Sequence, residues 1–458
     1  RRADRALRGA VSRLLASGAL ADLEPGQTLT LDAPAGVGAE SAVIVPLARR
    51  ADPGPARAAG AALARAANGR AMTIIAGAHP RAGEIAFGYA LGAYRFAAHL
   101  TGPGGARPLA GPARLLVTRP GALAAASVRG AALAEGVWFA RDLVNEPANI
   151  LTTTDFADRL AAMSALGIEV EVLDEAAIAA RGMRAILSVA EGSASPARVV
   201  AMRWRGGAEG PATALIGKGV VFDSGGISIK PAQGMEKMTS DMAGAAAVAG
   251  TMRALALSRA RADVVGLVGL VENMPGGAAQ RPGDIIRTMK GDTVEITSTD
   301  AEGRMVLADL IWHATDRYRP GAIVDLATLT GASVIALGEE RAALFARDEA
   351  LARDLLAAAD RAGEGMWRMP LDAAYDRALR SRRADVKNAG GREAGAITAA
   401  RFLSRFVPEG TPWAHLDIAG VADRSAASGV EPEGPTGWGV RTLEAFLAAR
   451  AGGSASAR

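Results

Sequence analysis

Two glycine-broken segments concentrate the residues that can do chemistry. One reads Gly217-Lys218-Gly219-Val220-Val221-Phe222-Asp223-Ser224-Gly225-Gly226, with Lys230 and Asp241 behind it. The other reads Ser298-Thr299-Asp300-Ala301-Glu302-Gly303-Arg304. Between them they supply four carboxylates, two lysines and an arginine. In extended backbone Asp300 and Glu302 face the same side, and carboxylates that close repel unless a cation joins them. Taken singly, Asp300 reads as the cap of a helix starting near Met305, with Glu302 in its first turn. Asp223 and Asp241 likewise pass as turn and cap residues. Taken together, they describe a dinuclear metal site, whose ions sit about 3.5–4 Å apart and activate water or polarise a carbonyl or phosphoryl oxygen.

Only five of the 52 basic residues are lysine, namely Lys218, Lys230, Lys237, Lys290 and Lys387. Arginine keeps its proton in proteins, whereas lysine can lose it. A lysine beside two cations loses its proton readily, and the neutral amine can then serve as a ligand. Other chemistries fail on spacing. Gly217-Lys218 lacks the earlier glycine and the following Ser or Thr of a phosphate loop. There is no G-x-S-x-G elbow and no H-E-x-x-H. His79, His99, His313 and His415 are too scattered to form a ligand pair and read as structural. Any metal is therefore held mainly by oxygen, with an amine as a further donor.

The elements that must position these residues alternate between strand and helix. Short apolar runs at 41–47, 72–76 and 113–118 read as strands, and alanine-rich 56–67 as a helix. Pro120-Gly121 ends the third strand, and 122–144 reads as one long helix. Further on, 168–173, 198–204, 212–216, 263–271 and 322–326 read as strands, with helices at 244–257 and 305–318. The fold expected is α/β: a small N-terminal α/β domain, then a larger catalytic domain with a mainly parallel, helix-covered sheet. The boundaries expected are 1–120 for the first domain, 121–146 for a connecting helix and 147–450 for the catalytic domain. A Gly/Ser/Ala tail at 451–458 reads as disordered. In such folds ligand sites gather at the carboxyl ends of the strands, and both segments follow apolar strands.

Composition sets outer limits. The 458 residues suit two or three domains. With no cysteine, disulfides, thiol catalysis and iron–sulfur clusters are excluded. There is no apolar run of about 20 residues to span a membrane. Residues 1–20 are arginine-rich with no apolar stretch behind them, so they do not read as a secretory signal. The expected location is cytoplasmic, which the absence of cysteine suits. Net charge is +4 and the pI is about 9.7. The arginines are dispersed, which favours a solvated surface over a nucleic-acid footprint.

The two segments closely resemble the leucyl aminopeptidase family, whose N-T-D-A-E-G-R signature appears as Ser298 to Arg304. The likeness extends through Met238 to Gly244, Glu272-Asn273-Met274-Pro275 and Gln280-Arg281-Pro282-Gly283-Asp284. It continues in Ala327-Thr328-Leu329-Thr330-Gly331-Ala332, Asp385-Val386-Lys387-Asn388 and His415-Leu416-Asp417-Ile418-Ala419-Gly420, covering about residues 140–445. The resemblance implies an aminopeptidase that releases leucine-like or other apolar N-terminal residues from peptides with a free amine. It implies Lys218, Asp223, Asp241, Asp300 and Glu302 as ligands of two divalent ions, manganese or zinc first, magnesium or cobalt as alternatives. Asp223 and Glu302 would bridge the ions, Asp300 would serve one, and Lys218 with Asp241 the other. Lys230 would help to polarise the scissile carbonyl, and Arg304 would hold a bicarbonate that acts as general base. Met238, Asn273, Thr328, Leu329 and Gly331 would line the substrate cleft. The family's Asn is replaced by Ser298, a change bearing on supporting hydrogen bonds rather than on a ligand. The resemblance also implies a homohexamer, two trimers stacked.

Two other readings stand beside this one. A two-metal phosphatase or nuclease would accept the same carboxylates, but Lys218 and Lys230 at this spacing favour the peptidase. The arginine-rich surface leaves DNA binding open as a side function, which the dispersed charge disfavours.

Overall fold

The computed structural model describes residues 2–24, 26–102 and 109–453. The chain divides into two compact units, residues 1–134 with 425–433, and residues 135–424 with 434–458. The division falls inside the helix Ala124–Asn145, which follows a 3-10 turn at Pro120–Leu123. The sequence reading ended its first domain at 120 and gave no sign of the return at 425–433.

The first unit builds strand β1 (Leu29–Asp32) antiparallel to β2 (Ser41–Ile44), and β3 (Met72–Gly77) parallel to β4 (Ala113–Val117). Its helices Pro53–Ala67 and Ala82–Gly92 pack through small residues: a Cβ on Gly92 would lie 2.5 Å from Ala61 Cα. Proline at the start of the first of these helices suits a first turn, whose N–H groups have no partner within the helix.

The second unit carries an eight-stranded sheet. Its strands are β5 (Glu169–Leu173), β6 (Arg198–Arg205), β7 (Thr213–Asp223), β8 (Asp263–Asn273), β11 (Ala322–Ala327), β12 (Ala342–Ala346), β13 (Met366–Arg368) and β15 (Trp413–Asp417). The order across the sheet is β13-β12-β15-β11-β7-β8-β6-β5. The four central strands, β15, β11, β7 and β8, run parallel. Strand β6 is antiparallel to β8 and to β5, and β12 is antiparallel to β15. Almost every residue of β7 and β8 is buried, as expected for strands covered on both faces.

The covering helices can be read from the glycines of β8. A Cβ on Gly266 would meet Val248 and Met252 of the helix Ala243–Ser258 at 3.0 Å. One on Gly269 would meet Val306 of the helix Gly303–Tyr318 at 2.6 Å. Positions three apart on a strand face opposite ways, so these two helices lie on opposite faces of the sheet. A second, three-stranded sheet of β9 (Ile285–Arg287), β10 (Thr293–Glu295) and β14 (Val386–Lys387) supports the segment leading to Ser298. The final helix runs from Val440 to Gly453, so the tail expected to be disordered from 451 is helical at its start. Residues 454–458 lie outside the described residues. Among the described residues no helix is long and apolar enough to cross a membrane.

Candidate active site

The carboxyl ends of three neighbouring strands deliver the site. Strand β7 places Lys218 in its middle and Asp223 at its end, β8 ends at Asn273, and β11 leads into Thr328. The apolar run of β7 continues past the expected 216 because glycines let a helix approach it. A Cβ on Gly217 would sit 2.5 Å from Ala245 Cα. The alternation of the strand then turns Lys218 to the other face, against the start of the helix Gly303–Tyr318, where Gly303 leaves it room.

There the charged groups converge. Lys218 Nζ lies 2.7 Å from both Asp241 Oδ1 and Glu302 Oε1, and donates to the Thr328 carbonyl at 2.9 Å. Lys230 Nζ pairs with Asp223 Oδ2 at 2.7 Å and with Asp300 Oδ1. Oxygens of Asp223, Asp300 and Glu302 lie within 4.8 Å of one another. Asn273 Nδ2 donates to Asp223 Oδ1 at 2.7 Å, and Thr328 Oγ1 donates to Asp241 Oδ1 at 2.7 Å. Asp241 Oδ2 is buried and has no hydrogen-bond partner.

Burial pushes Asp223 and Asp241 above the usual carboxylate range, and their acidic neighbours add to the shift against the pull of the lysines. Asp300 is pushed up to about 6 by burial, with Lys230 opposing. Burial would raise Glu302 too, but the ammonium groups of Lys218 and Lys230 outweigh it and hold it low. Both lysines are raised, because the surrounding carboxylates overcome the cost of burial. The neutral amine expected at Lys218 belongs to a site with two cations beside it, whose charge would pull the ammonium down. Each ammonium lies where a cation would meet two carboxylates. Close carboxylates, a partnerless buried oxygen and two amines among them form a donor set that fits two divalent ions.

Arg304 is also buried. Its Nη1 donates to the Asn388 carbonyl at 2.7 Å, its Nε has no partner, and burial pulls it down to about 10. Leu329 presents its N–H to Asp417 Oδ1 at 3.2 Å. Met238 is half-buried in the 3-10 segment Met235–Met242, and Gly331 opens the helix Gly331–Leu337. Neither is tied to the charged cluster by a polar contact.

Sequence reasoning gave no role to Asn388. Its side chain grips the backbone ahead of Asp300: Oδ1 accepts from Thr297 N at 2.8 Å and Ser298 N at 3.3 Å, and Nδ2 donates to Ser298 O at 2.6 Å. No local signature marks an asparagine that works on backbone some 90 residues away. The same bonds explain how Ser298 is accommodated, since its main chain is held and its hydroxyl takes no part. Ser298→Asn is expected to change kcat/KM by no more than about twofold, the scale of a substitution away from packed or bonded features. A tenfold change in steady-state assays would show that the side chain at 298 matters.

Histidine stays out of the cluster. His415 Nδ1 is bound to Asp325 Oδ1 at 2.5 Å inside the sheet, and Trp413 Nε1 donates to Asp325 Oδ2 at 2.7 Å.

Known proteins resemble the chain along most of its length. Residues 138–444 match the profile described as "Cytosol aminopeptidase family, catalytic domain". A "Probable cytosol aminopeptidase" of Dinoroseobacter shibae is 54% identical over 447 residues, covering 98% of this chain and 91% of the relative. One from Cereibacter sphaeroides is 53% identical over 448 residues, with the same shares covered. The solved structure described as "Bottromycin maturation enzyme BotP in complex with Mn" superposes with a TM-score of 0.86 at 38% identity, covering 95% of this chain and 96% of the other. By sequence and by fold, the chain belongs to the cytosol aminopeptidase family, metal-dependent hydrolases of peptide bonds.

Proposed function

We propose that this aminopeptidase works through a dinuclear centre held by Lys218, Asp223, Asp241, Asp300 and Glu302. We further propose that it releases leucine-like and other apolar N-terminal residues. The observation that carries the reading is the convergence of these five side chains and Lys230: Lys218 pairs with Asp241 and Glu302, Lys230 pairs with Asp223 and Asp300, and oxygens of Asp223, Asp300 and Glu302 lie within 4.8 Å of one another. Ions bound there would supply Lewis-acid activation of water and of the scissile carbonyl. Manganese and zinc lead among the candidate ions, with magnesium and cobalt behind them. The solved relative described with Mn favours manganese.

The chain's own residues then divide the work. Lys230, about one-fifth exposed while its partner Asp223 is buried, can reach a substrate and donate to the oxyanion that forms at the scissile carbonyl. Arg304 keeps its Nε free of protein partners and so offers donors to a small planar anion such as bicarbonate, the proposed general base. Met238, Leu329 and Gly331 line the cleft in this reading. A homohexamer of two stacked trimers and a cytoplasmic location complete it, and both rest on family membership.

The test is hydrolysis of leucyl-p-nitroanilide and of Leu-Gly with added manganese or zinc, beside Lys230→Ala and Glu302→Ala. Metal-dependent leucine release, lowered at least about 100-fold in each variant, is the expected result, on the scale of removing one oxyanion donor. No release with any metal from a folded protein would sink the reading.

A further inference from the structure

We infer that Asn273 and Thr328, beyond any part in lining the cleft, are positioning residues that aim two of the metal-binding carboxylates, one on each side of the cluster. The inference rests on the dinuclear reading above. Asn273 closes β8 and is 2% exposed. Its Nδ2 faces two acceptors, Asp223 Oδ1 at 2.7 Å and Thr299 O at 3.1 Å, so only the donor end of the amide fits there. Its Oδ1 lies against Gly226, where a Cβ would come within 2.8 Å. Its backbone carbonyl accepts from Ser224 N at 3.0 Å and Ser224 Oγ at 2.7 Å. The amide is therefore locked, and with Gly225 N at 3.0 Å it fills Asp223 Oδ1 with uncharged donors. Asp223 Oδ2 is left to face a cation, and here it faces Lys230.

Thr328 does the same for Asp241 from the end of β11. Its Oγ1 donates to Asp241 Oδ1 at 2.7 Å, while its carbonyl takes Lys218 Nζ at 2.9 Å. Oδ1 of Asp241 is thus filled by Thr328 and Lys218, and Oδ2 is buried without a partner. The arrangement repeats: one oxygen of each carboxylate is tied to an uncharged side chain at a strand end, and the other is presented. Hydrogen bonds of this kind set ligand orientation, and their loss typically weakens metal binding about 10–100-fold.

The experiment is titration of the full chain with Mn2+ and Zn2+ by calorimetry, for wild type, Asn273→Ala, Thr328→Val and Thr328→Ser. Peptide KM and kcat are measured at saturating metal alongside, and thermal unfolding confirms that each protein is folded. The expected result is two ions per chain in wild type and about 10–100-fold weaker binding in Asn273→Ala and Thr328→Val. Binding should recover in Thr328→Ser. Wild type taking two ions, with unchanged affinity in the variants and a raised KM, would overturn the positioning role and leave both residues as cleft walls. Fewer than two ions in wild type would overturn the dinuclear reading, and this inference with it.

Discussion

Lys218→Arg is expected to lower kcat/KM by at least about 1,000-fold while the protein stays folded, although formal charge is conserved. The loss of one ion's Lewis-acid contribution, several kcal/mol, is enough for that. The lysine side chain is 3% exposed and ends between Asp241, Glu302 and the Thr328 carbonyl. A guanidinium is longer, flat and permanently protonated. It can keep an ion pair with the carboxylates, so the buried negative charge remains compensated, but it cannot serve as an amine donor. Calorimetry should show the second ion missing. Lys237→Arg, at an exposed position, is the control and should behave as wild type. Two bound ions and full activity in Lys218→Arg would remove the amine from the proposed ligand set.

Gly303→Ala should cost at least about 100-fold in kcat/KM, the effect of displacing a reacting group by about 1 Å. A Cβ at this position would lie 2.7 Å from Cδ and Cε of Lys218 and 2.8 Å from its Nζ, against an optimum of about 3.5–4.0 Å between carbons. The helix Gly303–Tyr318 cannot back away, since Gly303 to Ile311 are all buried. The cheapest relief is for the lysine to leave its place, which dissolves the cluster and spares the core. Unfolding temperature should therefore fall only modestly while metal binding and activity disappear. An active Gly303→Ala enzyme would mean that Lys218 has more freedom than its three polar contacts allow.

The residues that converge were legible in the sequence because carboxylates and rare lysines beside glycines have few other uses at strand ends. The supports were not. Asn388 and the bonds made by Asn273 and Thr328 depend on which strands become neighbours, and nothing local encodes that. The same holds for the sheet. The strands at 198–205 and 263–273 could be placed from their apolar runs, yet apolar periodicity carries no direction, so the reversal of β6, β12 and β13 was invisible. Strand β7 was read as ending at 216 because Gly217-Lys218-Gly219 interrupts its apolar run. It continues to Asp223 because a close helix favours the glycines and the opposite carboxylates favour the lysine. Helix starts were read two or three residues late, as at Pro53 and Gly303, where the first turn holds no apolar stripe.

The strand order bears on when the enzyme becomes dangerous. Strand β15 is the last of the sheet to be synthesised, yet it lies third from one edge, and β12 and β13 join the rest only through it. It also brings Asp417, which holds Leu329 and Thr330. During translation, at about 5–20 residues per second, the cleft is incomplete until residues 413–417 have emerged. A growing polypeptide of this enzyme therefore has no finished blade to turn on the fresh N-termini around the ribosome.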